Sequence, residues 1–413
     1  MTTAMQAREF PDGWSVPDHV PAELVHDEDL YGDRSFDTDM HARLAALYGR
    51  CPDIFWSPHS GGYWVVMRRA LIDQVMTDPA HFSSRQGQIP PVEPALPMLP
   101  LTFDPPAHTP YRLALMQWFG SKTINTFADE VRELARDLVD KVAREGEFEF
   151  VRSLGAALPV TVFMRMMGLP LTRFDEFRTL VLEFFSVLPE PRRIELYGQI
   201  RQEMTDLVAE RRKLPGKDVV SMLMTRSVGG RSMSDEELVD IAVLLFVAGM
   251  DTVANAAAFA FYYLACDAQV QERLARDPGL AGDFVEESLR MYGVVNTPRQ
   301  VVADIDFAGA PMRKGDMVFV MLSLAGRDGS AIAAPDEFDL DRSSHPHMVF
   351  GGGPHVCAGQ HLARLELKIL VEEWLKRVDR FEIAPGFQPQ FRCWQVMALS
   401  ELRLAITTLS PAG

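Results

Sequence analysis

Phe350-Gly351-Gly352-Gly353-Pro354-His355-Val356-Cys357-Ala358-Gly359 is the stretch on which the reading of the whole chain turns. A helical pattern follows at once, so Cys357 stands at a helix N-terminus. There, unpaired N–H groups and the positive dipole end favour a thiolate, the form that ligates metal. Three consecutive glycines let the backbone pass close to a flat, bulky object. His355 can offer a donor to an acidic edge of that object. A lone cysteine is usually a buried apolar residue, but with these neighbours it suits a thiolate bound to haem iron.

The surrounding chain has 413 residues, 47% hydrophobic and 24% charged, an ordinary soluble composition. No Gly/Ser-rich linker or low-complexity run divides it, so one domain spanning residues 1–413 is expected, mainly α with smaller β-sheets (α+β). The four cysteines, Cys51, Cys266, Cys357 and Cys393, show no CxxC spacing and no disulfide framework, which points to a reducing cytosol. Residues 1–21 carry acidic residues and prolines in place of a signal peptide's basic flank and apolar core. The apolar run 241–250 is short for a membrane span. Lys plus Arg number 41 against 57 Asp plus Glu, a net charge of -16, which argues against nucleic acid or an anionic membrane as partner.

Residues 63–67 are rich in strand formers and follow Gly61-Gly62, so they read as the second arm of a hairpin. Residues 86–106 hold seven prolines from Pro90 onward and read as a long structured loop of the kind that lines a pocket. His108 and Arg112, four apart at the start of the next helix, share a face. Residues 124–225 read as almost wholly helical, with Phe184 and Phe185 more in keeping with core than with a pocket. Ser234-Asp235-Glu236-Glu237 is a capping box that opens a helix to about residue 267, roughly 50 Å long. Apolar on nearly every side, that helix must cross the middle of the protein.

Within it, Ala248-Gly249-Met250-Asp251-Thr252 breaks the apolar rule. Gly249 weakens the helix and clears space, and Thr252 can hydrogen-bond to a carbonyl one turn earlier and bend the axis. An acid beside a hydroxyl in a dry helix is costly unless it handles protons or finds partners. Further on, Glu287 and Arg290 stand one turn apart, and Arg342 follows as a third member of a charge cluster. Residues 294–324 read as strands around a turn at 309–315, with Arg299 near their start. Residues 358–378 read as one more helix, followed by strand-like pieces.

Phe350, Gly353, Cys357 and Gly359 fill the pattern Phe-x-x-Gly-x-x-x-Cys-x-Gly, which resembles the haem-binding loop of the cytochrome P450 family. Asp104-Pro105-Pro106, the Gly-x-Asp-Thr pentad and the continuation Gln360-His361-Leu362-Ala363-Arg364 are similar to the soluble bacterial camphor-hydroxylase group. The resemblance implies a single-domain P450 fold with haem b (iron protoporphyrin IX) between the long central helix and the cysteine-loop helix. Cys357 would be the metal ligand. Asp251 and Thr252 would be catalytic, Thr252 ordering dioxygen and water and Asp251 feeding protons toward them. His355, Arg112, Arg299 and His108 would reach the haem propionates, with Gly249, Phe350, Gly353 and Gly359 shaping the cofactor site. Glu287, Arg290 and Arg342 would be structural. By position, Gly87, Leu96, Met98, Leu244, Val247, Val295 and Val396 would contact substrate.

The activity so implied is a monooxygenase that inserts one oxygen atom from O2 into a C–H bond. With no flavin or nicotinamide fingerprint in the chain, electrons are expected from a separate [2Fe-2S] ferredoxin and its NADH-dependent reductase. Arg112 and Arg364 are candidate contacts for that ferredoxin on the cysteine side of a cytoplasmic, monomeric enzyme. Leu96, beside Pro97 and Met98, stands where the camphor hydroxylase has a substrate-donating tyrosine, and Gly87 where it has a bulky aromatic. Those departures imply a different or larger apolar terpenoid, or an ionone-like norisoprenoid ketone. Two other readings are a haem-thiolate peroxygenase, which has no need of the Asp251-Thr252 pair, and a non-catalytic haem sensor, which needs no substrate pocket.

Overall fold

The computed structural model describes residues 16–31, 34–36, 39–186, 188–393 and 395–410. Most of the stretch read against a signal peptide, residues 1–15, lies outside them. The body is helix-rich and organised around two consecutive helices, Asp235–Gly249 and Thr252–Cys266. Ser234 Oγ accepts from the Glu237 N–H while the Glu237 carboxylate accepts from the Ser234 N–H, so the capping box is closed.

The expected unbroken helix to residue 267 is corrected to this pair. Asp251 leaves helical geometry with φ -141°, and Thr252 Oγ1 donates back to the Ala248 carbonyl at 3.1 Å. A side chain competing for the ladder in this way bends the axis. Together the two halves are long and apolar enough to cross a membrane by length and composition, unlike the run 241–250 alone. Yet 72% of the apolar window is buried inside the protein, so core packing accounts for its apolarity.

At Gly249 a Cβ would stand 2.3 Å from the ring of Phe163, so the space the missing side chain clears is taken by the helix Ala157–Met167 packed against the bend. Gly249→Ala should therefore destabilise the fold by about 1–3 kcal/mol, the usual cost of overpacking. A fall in the denaturant unfolding midpoint at unchanged slope would show it; an unchanged midpoint would count against this packing.

The largest sheet has five strands. Ile54–Ser57 pairs antiparallel with Tyr63–Val66, the expected hairpin. Tyr63–Val66 then runs parallel to Met317–Val320, which pairs with Thr297–Val301, and Phe82–Ser83 forms the far edge. This sheet fixes the site from one side, because it carries Arg299 and delivers the chain into the proline-rich loop. Residues 84–107 hold neither helix nor strand, as their prolines demand. Ser83 Oγ and the Ser84 N–H donate to the Asp104 carboxylate at 2.5 and 2.9 Å, and the Tyr197 hydroxyl donates to the Pro97 carbonyl at 2.6 Å. The loop is thereby pinned at both its base and its crest.

Candidate active site

The cysteine loop closes on itself before the helix Gln360–Leu375 begins. The Cys357 N–H donates to the Phe350 carbonyl at 2.7 Å. Gly353 takes φ +60°, and a Cβ on it would lie 2.4 Å from the Met76 carbonyl. The glycines therefore admit the neighbouring helix Arg69–Thr77. At Gly359 a Cβ would meet only Cys357 Sγ, at 3.9 Å.

Cys357 is exposed by accessible surface, which removes the reading of a packed core cysteine. It is nonetheless walled by protein, and burial pushes its thiol up, against the expected drift toward thiolate. The Gly359 and Gln360 N–H groups and the charges of Arg112 and Arg364 pull the other way. Binding a metal cation is what deprotonates such a thiol.

Four basic side chains converge beside the loop. His108 opens the helix His108–Phe119 and its ring lies 4.4 Å from that of His355. Arg112, one turn later, donates to the Val356 carbonyl. Arg299, 4% exposed, donates to Thr297 Oγ1, the Pro298 carbonyl and Met76 Sδ. Neither arginine forms an ion pair with a carboxylate among the described residues. Burial pushes Arg299 down to about 10. Burial first, then Arg299, His108 and Arg112, push His355 down to about 3, and its Nε2 is buried without a partner. Buried positive charge without a counter-ion is costly. The cluster thus fits a ligand that brings carboxylates of its own, as haem b does with its two propionates.

Asp251 is buried, and its Oδ2 accepts from Asn255 Nδ2 at 2.7 Å. Burial pushes its carboxyl up, while Asn255, Arg178 and Arg392 pull it down. Asn255 went unread in the sequence, although its i+4 spacing from Asp251 is the signal that could have found it. Thr252 lies on the other side of the break, on the wall of a cavity of about 220 Å³.

That cavity collects the seven positions read as substrate contacts. Gly87, Leu96 and Met98 come from the proline-rich loop, Leu244 and Val247 from the central helix, and Val295 and Val396 from an isolated antiparallel bridge. Phe184 and Phe185, read as core, line it too, and the wall extends to Arg299. Glu287, Arg290 and Arg342 do not line it. Glu287 and Arg290 are wholly buried and paired at 2.7 Å, with Arg342 Nε at 3.3 Å, His345 Nδ1 at 2.9 Å and the Asp339 N–H at 2.9 Å from the same carboxylate. Against burial, which raises it, Arg290, His345 and the Asp339 N–H hold the Glu287 carboxyl down to about 2.

The Cytochrome P450 family model matches residues 192–277 and 280–399. Probable cytochrome P450 127A1 of Sinorhizobium fredii is 33% identical over 402 residues, covering 94% of this chain and 96% of its own. Steroid C26-monooxygenase of Mycobacterium tuberculosis is 30% identical over 360 residues, 85% of this chain and 89% of its own. Among solved structures, CYP101J2 matches with a TM-score of 0.88 at 31% identity, over 95% of this chain and 99% of that one. CYP101C1 matches with 0.87 at 27%, over 95% and 100%. Similarity that runs nearly end to end, around an accessible cysteine and two neighbouring arginines without carboxylate partners among the described residues, means that the chain belongs to the cytochrome P450 family and is a haem b monooxygenase with that family's single-domain, helix-rich fold.

Proposed function

We propose that the enzyme oxidises a C–H bond of a compact terpenoid or norisoprenoid ketone, with electrons from a [2Fe-2S] ferredoxin and its NADH-dependent reductase, as a monomer in the cytoplasm. The observation that carries this reading is the apolar cavity whose wall includes Thr252. Cys357 would hold haem b, which when bound would supply the oxygen activation, and His108, Arg112, Arg299 and His355 would hold its propionates. Thr252 spends its O–H on a hydrogen bond to the Ala248 carbonyl, which leaves its oxygen as an acceptor at the cavity wall. Asp251, raised from its ordinary value by burial and held by Asn255 beside the helix break, is the carboxyl placed to take up and pass on a proton. Glu287, Arg290 and Arg342 keep the segments beneath the cysteine loop in place.

A cavity of about 220 Å³ falls below the range of roughly 300–1,000 Å³ that receives drug-sized ligands, which favours a compact substrate. Its wall is aliphatic and aromatic where the loop and central helix meet. Gln88 lines the same cavity, and its amide has no hydrogen-bond partner among the described residues. With Leu96 unable to donate, that amide is the group suited to receive one substrate oxygen.

Spin-state titration of the haem-loaded enzyme tests this. A C13 cyclohexenyl enone of the ionone type should give the high-spin shift. Gln88→Leu should weaken its binding about fivefold, the scale of one neutral hydrogen bond, and leave the matching hydrocarbon unchanged. A full shift with camphor and none with larger ketones would overturn the substrate assignment. Faster turnover with hydrogen peroxide alone than with any ferredoxin would favour the peroxygenase.

A further inference from the structure

Arg364 lies on the helix that follows the cysteine loop, yet all three nitrogens of its guanidinium are engaged inside the protein. Nε donates to Glu286 Oε1 at 2.5 Å, Nη2 reaches Oε2 at 3.3 Å, and Nη1 donates to Gln360 Oε1 at 3.1 Å. The plane so fixed sits over the ring of Phe350, 4.4 Å from its centroid. His347 closes the other side. Its Nε2 lies 3.1 Å from Glu286 Oε2, and its ring meets that of Phe350 edge-on at 5.8 Å. Phe350 in turn accepts the Cys357 N–H through its carbonyl.

We infer that Arg364 is a positioning residue, clamped by Glu286 and Gln360 onto Phe350, and that it holds the cysteine loop in the conformation that presents the Cys357 sulfur, rather than serving as a free cation for a redox partner. A docking cation needs a hydrated, mobile charge; this one is spent on three internal acceptors and a ring face. A planar guanidinium that grips two atoms and stacks is not replaceable by an ammonium, whereas a docking charge is. Glu286, held down to about 2 by His347 and Arg364 against the opposing effect of burial, stays ionised throughout the working range and keeps the clamp closed. The inference rests on thiolate ligation by Cys357 and is independent of which protein supplies electrons.

The test uses the haem-loaded full chain and three variants, Arg364→Lys, Arg364→Met and Glu286→Gln. Two quantities are measured: persistence of the thiolate Soret band after reduction and CO binding, and affinity for a [2Fe-2S] ferredoxin. Loss of the thiolate band should be about tenfold faster in all three, the scale of one charge-assisted hydrogen bond, with ferredoxin affinity within about twofold of wild type, the noise of a surface charge. Arg364→Lys behaving like Arg364→Met is the decisive signature. A band that persists in every variant overturns the inference, whether or not affinity falls. If it falls in Arg364→Met and is kept in Arg364→Lys, Arg364 is a docking cation. Glu286→Gln keeps side-chain size and carries the test if either arginine variant fails to fold. A wild-type enzyme that ignores the ferredoxin removes the proposed donor and leaves the spectral arm intact.

Discussion

Cys357→Ala is expected to give a folded protein that shows no thiolate Soret band after reduction with CO and oxygenates at least about a thousandfold more slowly than wild type, some 4 kcal/mol of barrier. Among the described residues no group of three His, Cys, Asp or Glu side chains could hold a metal ion at another site. Arg112, Arg299, His108 and His355, proposed to hold the propionates, are untouched, so the variant should still take up some haem, which separates loss of ligation from loss of binding. What the variant would lose is the thiolate that Cys357 would offer to haem b, the feature that distinguishes oxygen activation from oxygen carriage. The stability of the haem-free chain should hardly change, because the Cys357 side chain is accessible and truncation of such a side chain usually stays within about 0.5 kcal/mol. An unchanged unfolding midpoint together with the lost band would establish the role, and wild-type oxygenation by the alanine variant would sink it.

The features legible in the sequence are those whose causes are local. The capping box at Ser234, the hairpin around Gly61-Gly62 and the proline-rich loop are each written within a few residues, and each forms where expected. The bend at Thr252 is legible for the same reason, since the carbonyl it takes is one turn away. What went unread depends on partners far along the chain. Glu147–Glu149 sits in a region of helical pattern, yet it is a strand because it meets Arg403–Ala405 some 250 residues later. Gly249 and Gly353 also make room for Phe163 and the Met76 carbonyl, and nothing around either glycine in the sequence announces those neighbours. Phe184 and Phe185 carry the same pattern whether they face core or cavity. The clamp on Phe350 joins Glu286, His347 and Arg364 from three segments, and no spacing rule connects them.

Asp251→Asn should lower turnover about a hundredfold, within the range that a positioned acid or base contributes, while leaving substrate affinity within about twofold of wild type, because the carboxyl does not line the cavity. The geometry separates the two effects. Thr252 lines the cavity and Asp251 does not; its carboxyl is turned to Asn255 and to the charges of Arg178 and Arg392. The amide keeps an acceptor for Asn255, so the helix break should survive, but it can no longer take up and release a proton. Stability supports the same reading. Burial raises the Asp251 carboxyl in the folded state, so the folded chain binds that proton more tightly than the unfolded one. Ionisation on going from acid to neutral pH therefore costs stability. Asparagine escapes that cost, and the variant should unfold no earlier than wild type at neutral pH, its relative advantage growing as pH rises. A slow enzyme that binds normally and is at least as stable leaves proton delivery as the step affected. A larger solvent isotope effect on turnover in the variant would locate the loss there. Loss of binding, or a lower unfolding midpoint at neutral pH, would mean that Asp251 serves the architecture of the bend instead.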